Sequence, residues 1–192
     1  KAAFGFPYDW ADIPEDTRTR LLKETYQKSE EFTRYTQDMG TAVHWWLNHK
    51  LQAVEVQELP PIIPGAEEVA DGILDWLDSH HYSFTHTEHR FARSDLGYAG
   101  TVDLLGTRDC TPVVVDLKTQ EPPLTPYLEH ALQLAGYDYA TNQVCTCGCG
   151  ELIEVRERIS LIANRANPGE VKEHIWLDKG STIERTNARY DK

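Results

Sequence analysis

Three carboxylates and one lysine are spaced in this sequence as chemistry on a phosphate would need them. Segment 113–118 reads Val-Val-Val-Asp-Leu-Lys, a β-branched run that predicts a strand. Alternate side chains of a strand share a face, so Asp116 and Lys118 point one way and Val113, Val115 and Leu117 the other. Asp103 is the only charge within 98–105, a second predicted strand, and Glu88 lies within 82–91, a first. Neighbouring strands lie about 4.8 Å apart, so three consecutive strands can bring Glu88, Asp103 and Asp116 within reach of one ion. Carboxylates this close repel one another unless a cation joins them. Hard oxygen ligands suit Mg²⁺ or Mn²⁺, as one ion or two. Lys118 beside them can stabilise charge developing on a phosphate oxygen or orient a water, and a metal lowers that water's pKa. These are the parts of phosphodiester hydrolysis. The same residues also suit a solvated sheet face with an ordinary Lys–Asp pair.

The elements around these residues follow from period and punctuation. Residues 15–37 read as a polar helix with Leu21, Leu22, Tyr26 and Phe32 as anchors. Gly40-Thr41-Ala42-Val43-His44 opens a new helix, with Thr41 as its N-cap. Pro60, Pro61 and Pro64 break the chain, and 66–80 is helical through Val69, Ile73, Leu74, Trp76 and Leu77. After the first two strands, 106–112 is a turn before the third. Prolines 122, 123 and 126 form a loop, and 127–140 is a helix. Two late strands, 158–164 and 171–177, flank a turn at Asn167-Pro168-Gly169. The fold expected is α/β, with a mixed central sheet and an N-terminal helical region. One domain is expected over 1–192: a helical wall at 1–80, a catalytic α/β core at 81–177 and a tail at 178–192.

Composition narrows the function classes. With 192 residues, 40% apolar and 26% charged, the chain is that of a globular protein with one core. No apolar run approaches 18 residues, so no membrane partner is expected. No signal peptide is visible in the first ten residues, and a cytoplasmic location is expected. A net charge of -12 argues against a scaffold that coats nucleic acid, but not against an enzyme whose metal offsets clustered carboxylates.

Five blocks carry a resemblance: Gly40-Thr41-Ala42-Val43-His44, Glu88, Gly100-Thr101-Val102-Asp103, Val114-Val115-Asp116-Leu117-Lys118-Thr119, and Gln133 to Tyr137. In this order they resemble the PD-(D/E)xK nucleases, specifically the RecB-like exonuclease group, which takes in mitochondrial, phage and bacterial enzymes. The resemblance implies a restriction-endonuclease-like core, with Glu88, Asp103, Asp116 and Lys118 as catalytic residues. It implies metal ligation by His44, Glu88, Asp103, Asp116 and the carbonyl of Leu117. Gln133 and Tyr137 match the family's Gln-x-x-x-Tyr beside the active site. Thr119, at a strand end, and Arg90 are the further candidates for substrate contact. The activity implied is a metal-dependent deoxyribonuclease, an exonuclease on single-stranded DNA or DNA ends in a phage, bacterial or archaeal cytoplasm, or an organelle. A structure-specific endonuclease of the same fold, a non-catalytic nucleic-acid-binding module and a small-phosphoester hydrolase are the rival readings.

Read alone, His44 between apolar residues and Trp45-Trp46 also suits a core histidine. Trp45, Trp46, Tyr98 and Tyr127 are candidates for stacking on bases or for core and rim. Cys145, Cys147 and Cys149 form a Cys-x-Cys-x-Cys run that departs from zinc-finger spacing. A structural Zn²⁺ with Cys110 as fourth ligand, or an iron–sulphur cluster, is set against free thiols, and free thiols are the expectation.

Overall fold

The computed structural model describes residues 10–52, 60–141, 155–176 and 182–185. The chain divides into two compact units, Lys1–Asp38 and Met39–Lys192. The first holds a short 3-10 turn, Trp10–Asp12, and the opening turns of a helix. Leu21, Leu22, Tyr26 and Phe32, expected as anchors, are exposed there. The unit's threonines turn inward instead: Thr25, Thr33 and Thr36 each donate to the carbonyl four residues back.

The helix runs unbroken from Glu15 to Gln52 and is called α1. Thr41 is therefore not an N-cap, contrary to the sequence expectation. Gly40 is not a boundary: it lies within the helix, and a Cβ there would stand 3.5 Å from Thr119 Oγ1, an ordinary contact distance. The helix continues because Met39, Ala42, Val43 and Leu47, at helical spacing, are all buried.

Among its described residues the second unit adds α2 (Ala66–Ser79), α3 (Leu128–Thr141) and six strands. The strands are β1 (Tyr82–Arg93), β2 (Tyr98–Arg108), β3 (Thr111–Gln120), β4 (Glu157–Asn164), β5 (Val171–Trp176) and β6 (Thr182–Arg185). They form one mixed sheet in the order β1-β2-β3-β4-β5-β6. Only β3 and β4 are parallel, joined by the crossover that contains α3. The turn between β2 and β3 is tighter than the expected 106–112. Arg108 pairs with Thr111, leaving Asp109 and Cys110 as a two-residue loop, both with positive φ. That conformation matches the twist of a tight hairpin, and Asp tolerates it better than most residues.

Helices cover both faces of the sheet. On one face the second half of α1 and α2 bury Val113, Val115 and Leu117 of β3 together with Leu104, Ile159 and Leu161. On the other, Leu134 and Tyr137 of α3 pack with Val102, Leu105, Val114 and Trp176. The run 113–117 is thus buried on both sides, as a central strand with a parallel neighbour requires. Among the described residues no helix is long and apolar enough to cross a membrane. The run Cys145-Thr146-Cys147-Gly148-Cys149 lies outside the described residues, and Cys110 is an exposed free thiol.

Candidate metal centre and cleft

The site begins where β2 and β3 part. Their ladder runs from Arg108 and Thr111 to Leu104 and Val115 and stops there. The register carried one pair further would set Asp103 opposite Asp116; instead the side chain of Asp103 reaches the next residue, and Leu117 N–H donates to its Oδ2 at 2.7 Å. A carboxylate that accepts from the neighbouring backbone lies near the sheet plane. The packing shows the same kink. Val102 joins the α3 layer and Leu104 the α1–α2 layer, although a regular strand would place both on one face. On β1 the matching irregularity is Glu88, whose φ is 49°. A left-handed residue within a strand is costly and clusters at functional sites.

His44 completes the group from α1. Its Nδ1 lies 3.2 Å from Glu88 Oε1 and 3.7 Å from Asp103 Oδ1. Its Nε2 lies 3.2 Å from the carbonyl oxygen of Leu117. His44, Glu88 and Asp103 thereby offer ligand atoms that all lie within 4.8 Å of one another. This cluster can coordinate a metal ion.

The donor set fits a cation on two further observations. Both nitrogens of His44 face oxygens that only accept, and a neutral imidazole can donate to only one of them. Two species satisfy that geometry. One is the imidazolium. The other is a neutral ring that donates from Nε2 to Leu117 and turns its Nδ1 lone pair, with both carboxylates, to a shared cation. Without a cation the first is favoured: burial works to lower the His44 pKa, but Glu88 and Asp103 outweigh it and the net shift is upward. The second observation is Asp116. It is fully buried, its Oδ1 accepts from Lys118 Nζ at 2.7 Å, and its Oδ2 is buried without a hydrogen-bond partner. An orphaned buried carboxylate oxygen is expensive unless a positive charge meets it. Burial pushes the Asp116 carboxyl up to about 6 against the opposing pull of Lys118, and nearby Asp103 adds to the rise. Burial raises Asp103 as well, opposed by His44.

The geometry differs in membership from the three-carboxylate cluster that the strand spacing suggests. His44, not Asp116, closes the tight group with Glu88 and Asp103. Asp116 takes the place behind Lys118. The carbonyl of Leu117 faces the site and accepts from His44, with a second lone pair left. Gln133 and Tyr137 bond to each other on α3, and Tyr137 packs edge-on against Phe91. Tyr137 sits close enough to the carboxylates for them to add to its pKa, which burial in the main pushes up to about 12. Thr119 lies one residue beyond Lys118, beneath Gly40.

A cleft of about 540 Å³ opens over the cluster, lined by Gly40, Thr41, His44, Trp45 and Asn48 of α1 and by Glu88, Arg90 and Thr101 of the hairpin. Arg90 is exposed on its wall and pairs in register with Thr101. Asn48 was absent from the sequence expectations. Its signal was helical: Thr41, His44, Trp45 and Asn48 recur at three- and four-residue steps. No protein-family model matches this chain, and no curated protein does.

Proposed function

We propose that this protein is a divalent-metal-dependent nuclease that hydrolyses phosphodiester bonds of DNA, with a restriction-endonuclease-like core. The observation that carries the reading is the junction of two arrangements at the parting of β2 and β3. His44, Glu88 and Asp103 converge to within 4.8 Å, and Lys118 is held by buried Asp116 on the adjoining strand. The succession α1, β1-β2-β3, α3, β4 supports the fold assignment, and the five sequence blocks fall on it in order.

His44, Glu88 and Asp103 would hold the ion, with the Leu117 carbonyl and the free oxygen of Asp116 as further donors. A bound cation would polarise the phosphoryl oxygen and lower the pKa of the attacking water. The nitrogen in the donor set favours Mn²⁺ over Mg²⁺ in affinity. The chain's own part is positional. Asp116 fixes the Lys118 ammonium, which stabilises charge gathering on the phosphate oxygens as the P–O bond breaks. Arg90 and Thr101 offer a cation and a hydroxyl to the neighbouring phosphate. The cleft's small size favours a single strand or an end over a long duplex, and an exonuclease is the form of the activity we infer.

The test is cleavage of linear and circular single-stranded DNA by wild type, D116A and K118A, with calorimetric Mn²⁺ titration of each. Linear strands should be shortened and circles left intact. K118A should lose cleavage by two orders of magnitude or more and keep Mn²⁺ binding. D116A should lose cleavage and weaken the metal. Full activity in K118A would overturn the reading. Rapid cutting of circles would make the enzyme an endonuclease.

A further inference from the structure

We infer that the cleft beside the metal cluster is a subsite for one unstacked nucleotide, with Trp45 as the platform for its base and Arg90 as the clamp for its phosphate. The inference rests on the nuclease reading and names what selects the substrate at that site.

Trp45 lines the same cleft as His44 and Glu88, so a group resting on the cleft side of its indole lies beside the metal ligands. The ring is partly exposed in the cleft and held from behind. It stacks on His49 with centroids 4.1 Å apart and planes at 16°, and meets Trp46 edge-on at 5.1 Å. A ring fixed in this way loses little freedom when a base settles on its open side. Across the cleft, Arg90 makes no ion pair with a carboxylate among the described residues. That is notable in a chain with 31 acidic and 19 basic side chains. Its neighbour on the cleft side of β1 is Glu88, two residues back, which belongs to the metal group. A cation left free beside an anionic centre suits an anionic ligand that bridges the two.

The size and chemistry of the cleft narrow that ligand. At about 540 Å³ it falls within the roughly 300–1,000 Å³ of sites that take one small organic group. One aromatic face and one guanidinium, set beside a metal site, match one base and one phosphate of a strand. A base in a duplex is already stacked on both faces and cannot use Trp45. The cleft therefore selects single strands through base stacking, to which Arg90 adds affinity for any phosphate; base identity matters weakly, because stacking accepts every base.

Equilibrium binding in Ca²⁺, with the strands checked intact by gel, tests the assignment. The probes are a fluorescein-labelled oligodeoxyadenylate and a strand of equal length made wholly of abasic units, which has the same charge and no bases. Wild type should prefer the base-bearing strand, and a duplex of the same sequence should compete poorly. Trp45→Ala should remove roughly 5- to 150-fold of affinity for the base-bearing strand and leave the abasic strand unchanged. Trp45→Phe, which keeps a ring, should restore most of the loss. Arg90→Ala, at an exposed position that leaves the fold intact, should weaken both strands alike and make the salt dependence shallower by about one phosphate. Equal losses on both strands in Trp45→Ala would show a structural role and overturn the platform. An unchanged Arg90→Ala would overturn the clamp. Either result with cleavage intact in wild type removes the subsite and leaves the nuclease reading standing. Absence of cleavage with the Trp45 effect present removes the nuclease reading alone.

Discussion

Asp103 has two tasks that one pair of substitutions can separate. Its Oδ2 accepts the Leu117 N–H at 2.7 Å, and its Oδ1 faces His44 Nδ1 at 3.7 Å among the metal-binding groups. Asp103→Asn keeps a carbonyl oxygen of the same shape for Leu117 and removes the charge. Asp103→Ala removes both and leaves a backbone donor unsatisfied at a residue only 1% exposed. An orphaned buried N–H costs about 1–3 kcal/mol. For a chain of this size that lowers Tm by roughly 2–12 °C. Asp103→Asn should instead melt at or above wild type without metal, because burial already disfavours the ionised form of Asp103. Both variants should bind Mn²⁺ at least about 10-fold more weakly, the loss expected even for groups that only orient a ligand. Thermal melts in chelator and calorimetric Mn²⁺ titrations read the two effects independently. Equal stability of the alanine and asparagine variants would show that the bond to Leu117 does not hold the parted strands. Wild-type Mn²⁺ affinity in Asp103→Asn would remove Asp103 from the ligands.

Two further outcomes follow from the packing and the titration of single residues. Gly72 lies within α2, where alanine would ordinarily gain about 1 kcal/mol. A Cβ there would stand 2.4 Å from Gly169 N and 2.8 Å from its Cα, on a backbone that cannot give way cheaply. Gly72→Ala should therefore lose about 1–3 kcal/mol in urea unfolding, and a variant as stable as wild type would show that α2 and the β4–β5 turn are not in contact. Tyr137 has its pKa raised to about 12 by burial and by the nearby carboxylates. The protonated phenol therefore contributes stability that is complete below pH 10 and lost as pH rises through 12. The difference in alkaline absorbance titration between wild type and Tyr137→Phe should show one tyrosine ionising near 12, and a value near 10 would place the ring in open solvent.

Much of the arrangement follows from local pattern. The β-branched run 113–118 and its alternation placed Asp116 and Lys118 together, and the folded chain holds them as a 2.7 Å pair with Val113, Val115 and Leu117 in the opposite layer. The spacing of Val69, Ile73 and Leu77 marks α2 because each must reach one apolar surface every turn. The continuity of α1 through Gly40 was not legible. A capping pattern is a property of a few residues, whereas the helix persists because Met39, Ala42, Val43 and Leu47 bury against elements far along the chain. Nor does alternation announce its own failure. The sequence names Asp103 and Glu88 as charges inside strands, and a strict two-residue period sends each to a face of the sheet. Only the folded hairpin shows Glu88 in a left-handed conformation and Asp103 turned to its neighbour's backbone. The same parting of β2 and β3 exposes the N–H and carbonyl of Leu117 to Asp103 and His44, and so decides which side chains meet. Residue order determines which groups a strand carries and which way they alternate. Where two strands separate is set by twist and by the helices packed on them, and that separation makes room for His44 between Glu88 and Leu117.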